Sequence, residues 1–161
     1  MKRFALALAA ALAAAPAAAQ ATGGHTVHQH GAAQATPYGE PGDPAKLSRA
    51  IQIVMKEADG RMVFEPSRIE AKAGEQIQFV LRNAGELEHE LVIGTAADIL
   101  RHADEMKASP DLAHDEPNAK RVASKKSAAL RWRFTNAGEF EYACLIPGHS
   151  EAGMTGTIVV K

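Results

Sequence analysis

The chain has 161 residues, 46% apolar and 23% charged, which is enough for one domain with a buried core and too few for two. It carries 18 basic and 19 acidic side chains, so no positive excess invites nucleic acid or an anionic membrane surface. Its single cysteine excludes a disulfide within the chain.

Met1 to Ala21 opens with Lys2 and Arg3, continues as an Ala/Leu run and ends in small residues, Ala17-Ala18-Ala19 and Ala19-Gln20-Ala21. That is the pattern of a cleaved secretory signal peptide with two A-x-A sites. A membrane anchor is the competing reading, but the run is short for a bilayer span, is broken by Pro16 and has no basic stop-transfer cluster behind it. The expectation is export to the periplasm with no stable membrane insertion. Loss of Lys2 and Arg3 would leave 16 basic against 19 acidic residues, a formal charge near −3.

Residues 22–48 read as a flexible tail, rich in Gly, Ala, Gln, Thr and Pro and without an apolar period. Within it His25, His28 and His30 place three imidazoles where they can converge on Cu(II), Ni(II) or Zn(II). A polar leader that merely contains histidines is the alternative.

From Arg49 to Lys161 the pattern is that of short strands. Ile51, Ile53 and Met55 alternate within Ala50 to Lys56, Asp59-Gly60 signals a turn, and Arg61 to Phe64 begins the return. Ser67 to Lys72 is extended. Ile77, Phe79 and Leu81 alternate within Glu75 to Arg82, and after Asn83-Ala84-Gly85 a strand over Glu88 to Ile93 carries His89. The rhythm then breaks: Ala96 to Lys107 predicts one short helix, followed by a long polar connection bounded by Pro110 and Pro117. His102 and Met106 share a face of that helix and His114 follows; they read as solvated residues in preference to a metal-touching patch. Strands resume at Ser127 to Phe134, where Trp132 reads as core, then at Glu139 to Cys144 and Gly156 to Val160. About eight strands with Gly, Asn and Pro turns predict an all-β Greek-key sandwich or barrel with one short helix in a long connection.

Between the last two strands lies Cys144-Leu145-Ile146-Pro147-Gly148-His149-Ser150-Glu151-Ala152-Gly153-Met154. A lone cysteine is often a small buried hydrophobe. Here, however, a histidine and a methionine follow it, and thiolate, imidazole and thioether together suit copper. A trigonal His2Cys site with a weak axial Met is the arrangement of blue-copper electron-transfer centres. The second histidine is best supplied by His89, at the start of a strand just after a turn. The expected ligands of one copper ion are thus His89, Cys144 and His149, with Met154 axial.

The loop, with its Cys-x4-His-x4-Met spacing and Pro147-Gly148 ahead of the histidine, resembles the ligand loop of the cupredoxins, the type-1 copper proteins that include plastocyanin, azurin, auracyanin and rusticyanin. The strand ending in Cys144 and the segment Asn83 to Val92 resemble that family as well. The spacing is similar to auracyanin and rusticyanin, and small periplasmic cupredoxins linked to copper tolerance share a histidine-containing tail ahead of the domain. The resemblance implies a Greek-key fold, one type-1 copper and a part in surviving excess copper. Glu90 departs from it, since azurin-like members have an Asn there that supports the cysteine sulfur; colour and potential therefore do not carry over.

The functional expectation is a monomeric copper protein with Cu(I)/Cu(II) redox capability that serves copper tolerance, or alternatively a dedicated electron carrier. An enzyme is disfavoured because oxidase or nitrite-reductase chemistry needs further His-x-His copper sites, for which the domain has only His102 and His114 to spare. Leu145, Ile146, Pro147 and Ala152 are expected to ring an exposed edge of His149 as a docking patch for a transient redox or copper-handling partner.

Overall fold

The computed structural model describes residues 35–108 and 116–161. The leader, His25, His28, His30 and His114 lie outside the described residues. In chain order the elements are β1 (Glu40–Pro41), β2 (Arg49–Ala58), β3 (Arg61–Glu65), β4 (Arg68–Ala71), β5 (Gln76–Asn83), β6 (His89–Gly94), α1 (Ala96–Ala108), β7 (Ala119–Val122), β8 (Ser127–Arg133), β9 (Gly138–Ala143) and β10 (Thr155–Val160). Among the described residues no helix is long and apolar enough to cross a membrane.

The strands make two five-stranded sheets, ordered β1-β8-β5-β2-β3 and β4-β10-β9-β6-β7. The pairs β2/β5 and β4/β10 are parallel and the other neighbours antiparallel. Because the chain crosses from sheet to sheet between β3, β4, β5 and β6, the two layers are laced into one sandwich. Side chains at period two meet between them. Ile53, Met55, Ile77, Phe79, Leu81, Leu130 and Trp132 of the first sheet pack against Ile69, Leu91, Ile93, Phe140, Tyr142, Ile158 and Val160 of the second. Asp59 and Gly60, both at positive φ (52° and 74°), close the β2/β3 hairpin in the backbone region that such two-residue turns require.

All six residues of β6 are buried, which fits a strand covered on both faces. His89, Leu91 and Ile93 share the face turned to the main core, while Val92 joins Ile99, Met106, Ala119, Ala143 and Leu145 in a second cluster beneath α1. Thr95 and Asp98 start the helix reciprocally: Thr95 Oγ1 accepts from the Asp98 N–H and donates to the Asp98 carboxylate. The helix runs back along the sandwich until Lys107 meets Glu151 of the Cys144–Met154 loop at 3.4 Å.

Three expectations change. Ten strands replace about eight, because β1 and β7 are two- and four-residue segments that exist only by pairing with β8 and β6. His102 and Met106, read as solvated, are 4% and 0% exposed; with Ile99 they form the inward stripe of α1, and His102 Nδ1 lies 3.6 Å from Glu116. Finally, the domain takes in part of the stretch assigned to the tail. Tyr38 stacks on Trp132 with ring centroids 5.5 Å apart, and its carbonyl accepts the Trp132 Nε1–H at 3.0 Å.

Tyr38 tests that boundary. Truncating a buried aromatic costs about 3–5 kcal/mol, whereas a change in a solvated tail stays within about 0.5 kcal/mol. Tyr38→Ala is expected to lower the unfolding free energy in urea by the larger amount.

Candidate metal centre

The site is built where β2, β5, β6 and β9 end or begin at one pole of the sandwich. Asn83, the last residue of β5, is 1% exposed and shapes the next loop: its Oδ1 accepts the Gly85 N–H at 2.9 Å, and its Nδ2 donates to the carbonyls of Leu87 (2.7 Å) and Val122 (2.9 Å). Glu57, from β2, receives the N–H groups of Glu86 (2.9 Å) and Leu87 (3.1 Å). A side chain at Gly85 would run into that carboxylate. Held from both sides, the loop delivers His89 as the first residue of β6.

The other side of the site is the loop from Cys144 to Met154. Its ends are clasped by the Cys144 N–H on the Met154 carbonyl (3.0 Å), and His149 is tied into it by Met154 N–H to His149 O (3.1 Å) and His149 N–H to Ile146 O (3.0 Å). Gly148 and Gly153 sit at φ of 90° and 101°, in the left-handed region where a side chain is strained. Cys144 continues the alternation of Phe140 and Tyr142, so its sulfur points into the interior.

These elements bring three donor groups together. The donor atoms of His89, Cys144 and His149 all lie within 4.8 Å of one another. His149 Nδ1 is 3.3 Å from Cys144 Sγ and 3.3 Å from His89 Nδ1. Two ligand atoms each about 2.0–2.3 Å from one ion can be at most about 4.6 Å apart, and both 3.3 Å contacts meet that limit. Two imidazoles and a thiol, all buried, are a donor set for a soft or borderline ion. Met154 is fully buried in the same core cluster as Cys144.

A model of the copper binding proteins of the plastocyanin/azurin family matches residues 51–161. The chain belongs to this family. Over 83% of its length and 84% of the relative's it is 49% identical to the copper-resistant cuproprotein CopI of Rubrivivax gelatinosus. It is 38% identical to the protein of the same name from Pseudomonas aeruginosa, over 81% of this chain and 88% of that one. Among solved structures, auracyanin B superposes with a TM-score of 0.62, covering 77% of this chain and 96% of that one at 20% identity, a likeness of fold alone.

In this plastocyanin/azurin-family domain the thiol and the imidazoles are held neutral when no metal is bound. Burial pushes the Cys144 thiol up to about 12, against the pull of the Glu90 and Ile146 N–H groups on its sulfur. Burial lowers both histidines below their ordinary 6.5; for His89 the Glu57 carboxylate only partly offsets this, and for His149 the neighbouring His89 adds to it. Burial works against ionisation of Glu57, yet the N–H groups of Glu86 and Leu87 hold it down at about 2. At neutral pH, then, His89 Nε2, 2.9 Å from Glu57 Oε1, donates a hydrogen bond from a neutral ring to a carboxylate.

Sequence reasoning missed Glu57, although the signal was present: it continues the inward parity of Ile51, Ile53 and Met55 by one more step. The sulfur's support was also missed. At Glu90, the position noted as a departure from the azurin-like pattern, the backbone N–H lies 3.3 Å from Cys144 Sγ, and the carboxylate pairs with Arg121 Nε at 2.8 Å. The expected apolar collar loses one member. Leu145 is 2% exposed and packs under α1, leaving Ile146, Pro147 and Ala152 at the surface; His149 keeps 8% exposure, while His89, Cys144 and Met154 have none.

These shifts set the pH dependence of the metal-free protein. Lowered histidines contribute stability above 6.5 that is lost as pH falls below it, because the unfolded chain then binds protons the folded one refuses. A raised thiol contributes below its ordinary 9.0 and loses that contribution as pH rises toward about 12. Urea midpoints are expected to form a plateau between about pH 6.5 and 9 and to fall on both sides, with Cys144→Ala flattening the alkaline limb.

Proposed function

We propose that this protein binds one type-1 copper, which His89, Cys144 and His149 would hold with Met154 as a fourth, weaker donor, and serves copper tolerance in the periplasm. The observation that carries the reading is the buried convergence of two imidazole nitrogens and one thiol sulfur in a domain of the copper-binding plastocyanin/azurin family. The tolerance role is supported by the relatives named copper-resistant cuproproteins, one of them 49% identical. Copper bound there supplies a one-electron Cu(I)/Cu(II) couple.

The chain's own groups do the rest. Cys144 gives up its proton on binding, since a thiolate is the metal ligand. Glu57 and the clasped loop hold the imidazoles in place, so little rearrangement accompanies a change of charge. Exclusion of water from His89, Cys144 and Met154 leaves the edge of His149 as the route outward, and Ile146, Pro147 and Ala152 beside it suit a transient redox or copper-handling partner. The protein acts on this reading as a monomeric binder and electron carrier, not an enzyme: among the described residues the only histidine outside the centre, His102, is buried on the inward face of α1.

Copper-loaded protein is expected to show an intense thiolate-to-copper charge-transfer band in the visible, abolished in Cys144→Ser. A wild-type protein without the band would overturn the type-1 assignment.

A dedicated electron carrier is the second reading, favoured by a complete ligand set with an apolar surface beside it. Deleting residues 23–31 separates the two: tolerance predicts lower copper stoichiometry and poorer growth of the host in copper, whereas no change in either favours the carrier.

A further inference from the structure

We propose that Glu57 is a positioning residue that sets the donor strength of His89 and so biases the centre toward Cu(II) over Cu(I). The inference rests on the copper reading above and deepens it.

Glu57 and His89 belong to different sheets, and their 2.9 Å contact joins the layers beneath the site. The carboxylate is not free to choose another partner. Its Oε2 accepts the Glu86 N–H and its Oε1 the Leu87 N–H, so it is pinned by the same loop that positions His89. A carboxylate can only accept, which requires the ring proton of His89 to be on Nε2. The Nδ1 lone pair is then directed at the shared space, where Nδ1 lies 3.3 Å from His149 Nδ1. His89 is 0% exposed, so its Nε2 is shut off from water, while the Glu57 side chain keeps 31% exposure and the contact is screened from that side only.

A full negative charge on the far side of the ring does two things that a neutral acceptor does only in part. It fixes the tautomer and it raises the basicity of the ligating nitrogen. Added electron density on that nitrogen stabilises the more highly charged metal state more than the less charged one. In contrast, a Glu57 that merely braces the loop would affect folding and leave the balance between oxidation states alone.

Charge and shape are separated by Glu57→Gln and Glu57→Asp. Gln keeps an acceptor for the His89 Nε2–H and removes the charge; Asp keeps the charge and shortens the side chain. The measurement is the ratio of Cu(II) to Cu(I) affinity in competition titrations, with the potential as an independent readout. Glu57→Gln is expected to lower the ratio about tenfold, the low end of second-shell effects, equivalent to a rise of about 59 mV for a one-electron couple. Glu57→Asp is expected to stay closer to wild type. An unchanged ratio in a folded Glu57→Gln protein would overturn the proposal, as would an equal fall in both variants, which marks a brace and not a charge. Wild-type nitrogen NMR of the Cu(I) form decides the point if Glu57→Gln does not fold: a proton on His89 Nε2 supports the proposal, and metal on that nitrogen sinks it. A wild type with no thiolate-to-copper band would remove the copper reading and this inference together; a normal band with an unchanged ratio removes this inference alone.

Discussion

Keeping a thiol and two imidazoles out of water governs the architecture at one pole of this sandwich. A buried polar group without a partner costs several times what its hydrogen bond returns, so the fold supplies partners from every direction. Cys144 Sγ receives the N–H groups of Glu90 and Ile146, and His89 Nε2 donates to Glu57. His149 is held through its own backbone by Ile146 and Met154. Those partners come from β2, β6 and the Cys144–Met154 loop. The centre is therefore a point where both sheets are fastened, and its three donor side chains are held in place by the surrounding structure.

Much of this was legible because the relevant information is local. Period-two alternation in β2, β5, β8 and β9 reports which face of a strand is buried, and the interior is built from those residues. The loop spacing and the lone cysteine report the chemistry. What escaped depends on distant pairing. β1 is two residues long and becomes a strand only because Arg133 and Trp132 lie opposite it; nothing in Glu40-Pro41 itself marks it. His102 and Met106 were read as solvated because a polar helix offers few apolar markers, yet burial is decided by β6 and β9 lying beneath it. Glu57 was passed over for the opposite reason: its parity was visible, but a carboxylate at a strand end ordinarily reads as solvent-facing.

Glu90 shows how a side chain can change without loss of the interaction expected at its position. The bond to the cysteine sulfur comes from the backbone, which any residue but proline supplies. The side chain points to the other face of β6, where its carboxylate, 1% exposed, is neutralised by Arg121. Its Oε1 is without a hydrogen-bond partner among the described residues. From there, second to burial, the pair acts on the Cys144 thiol through its field, the Glu90 charge raising it and the Arg121 charge opposing that.

The anchoring of Tyr38 has a spatial consequence. Tyr38 sits against Trp132 and Asn118, and Asn118 in turn bonds the carbonyl of Ile93, near the end of β6 opposite His89; the chain enters the domain at the pole away from the centre. From Gln76 to Asn83 alone, β5 covers roughly 23 Å of the distance between the poles. The anchorage at Tyr38 and the donor cluster are therefore separated by most of the length of the sandwich, so a change at one pole reaches the other only through the strands between them.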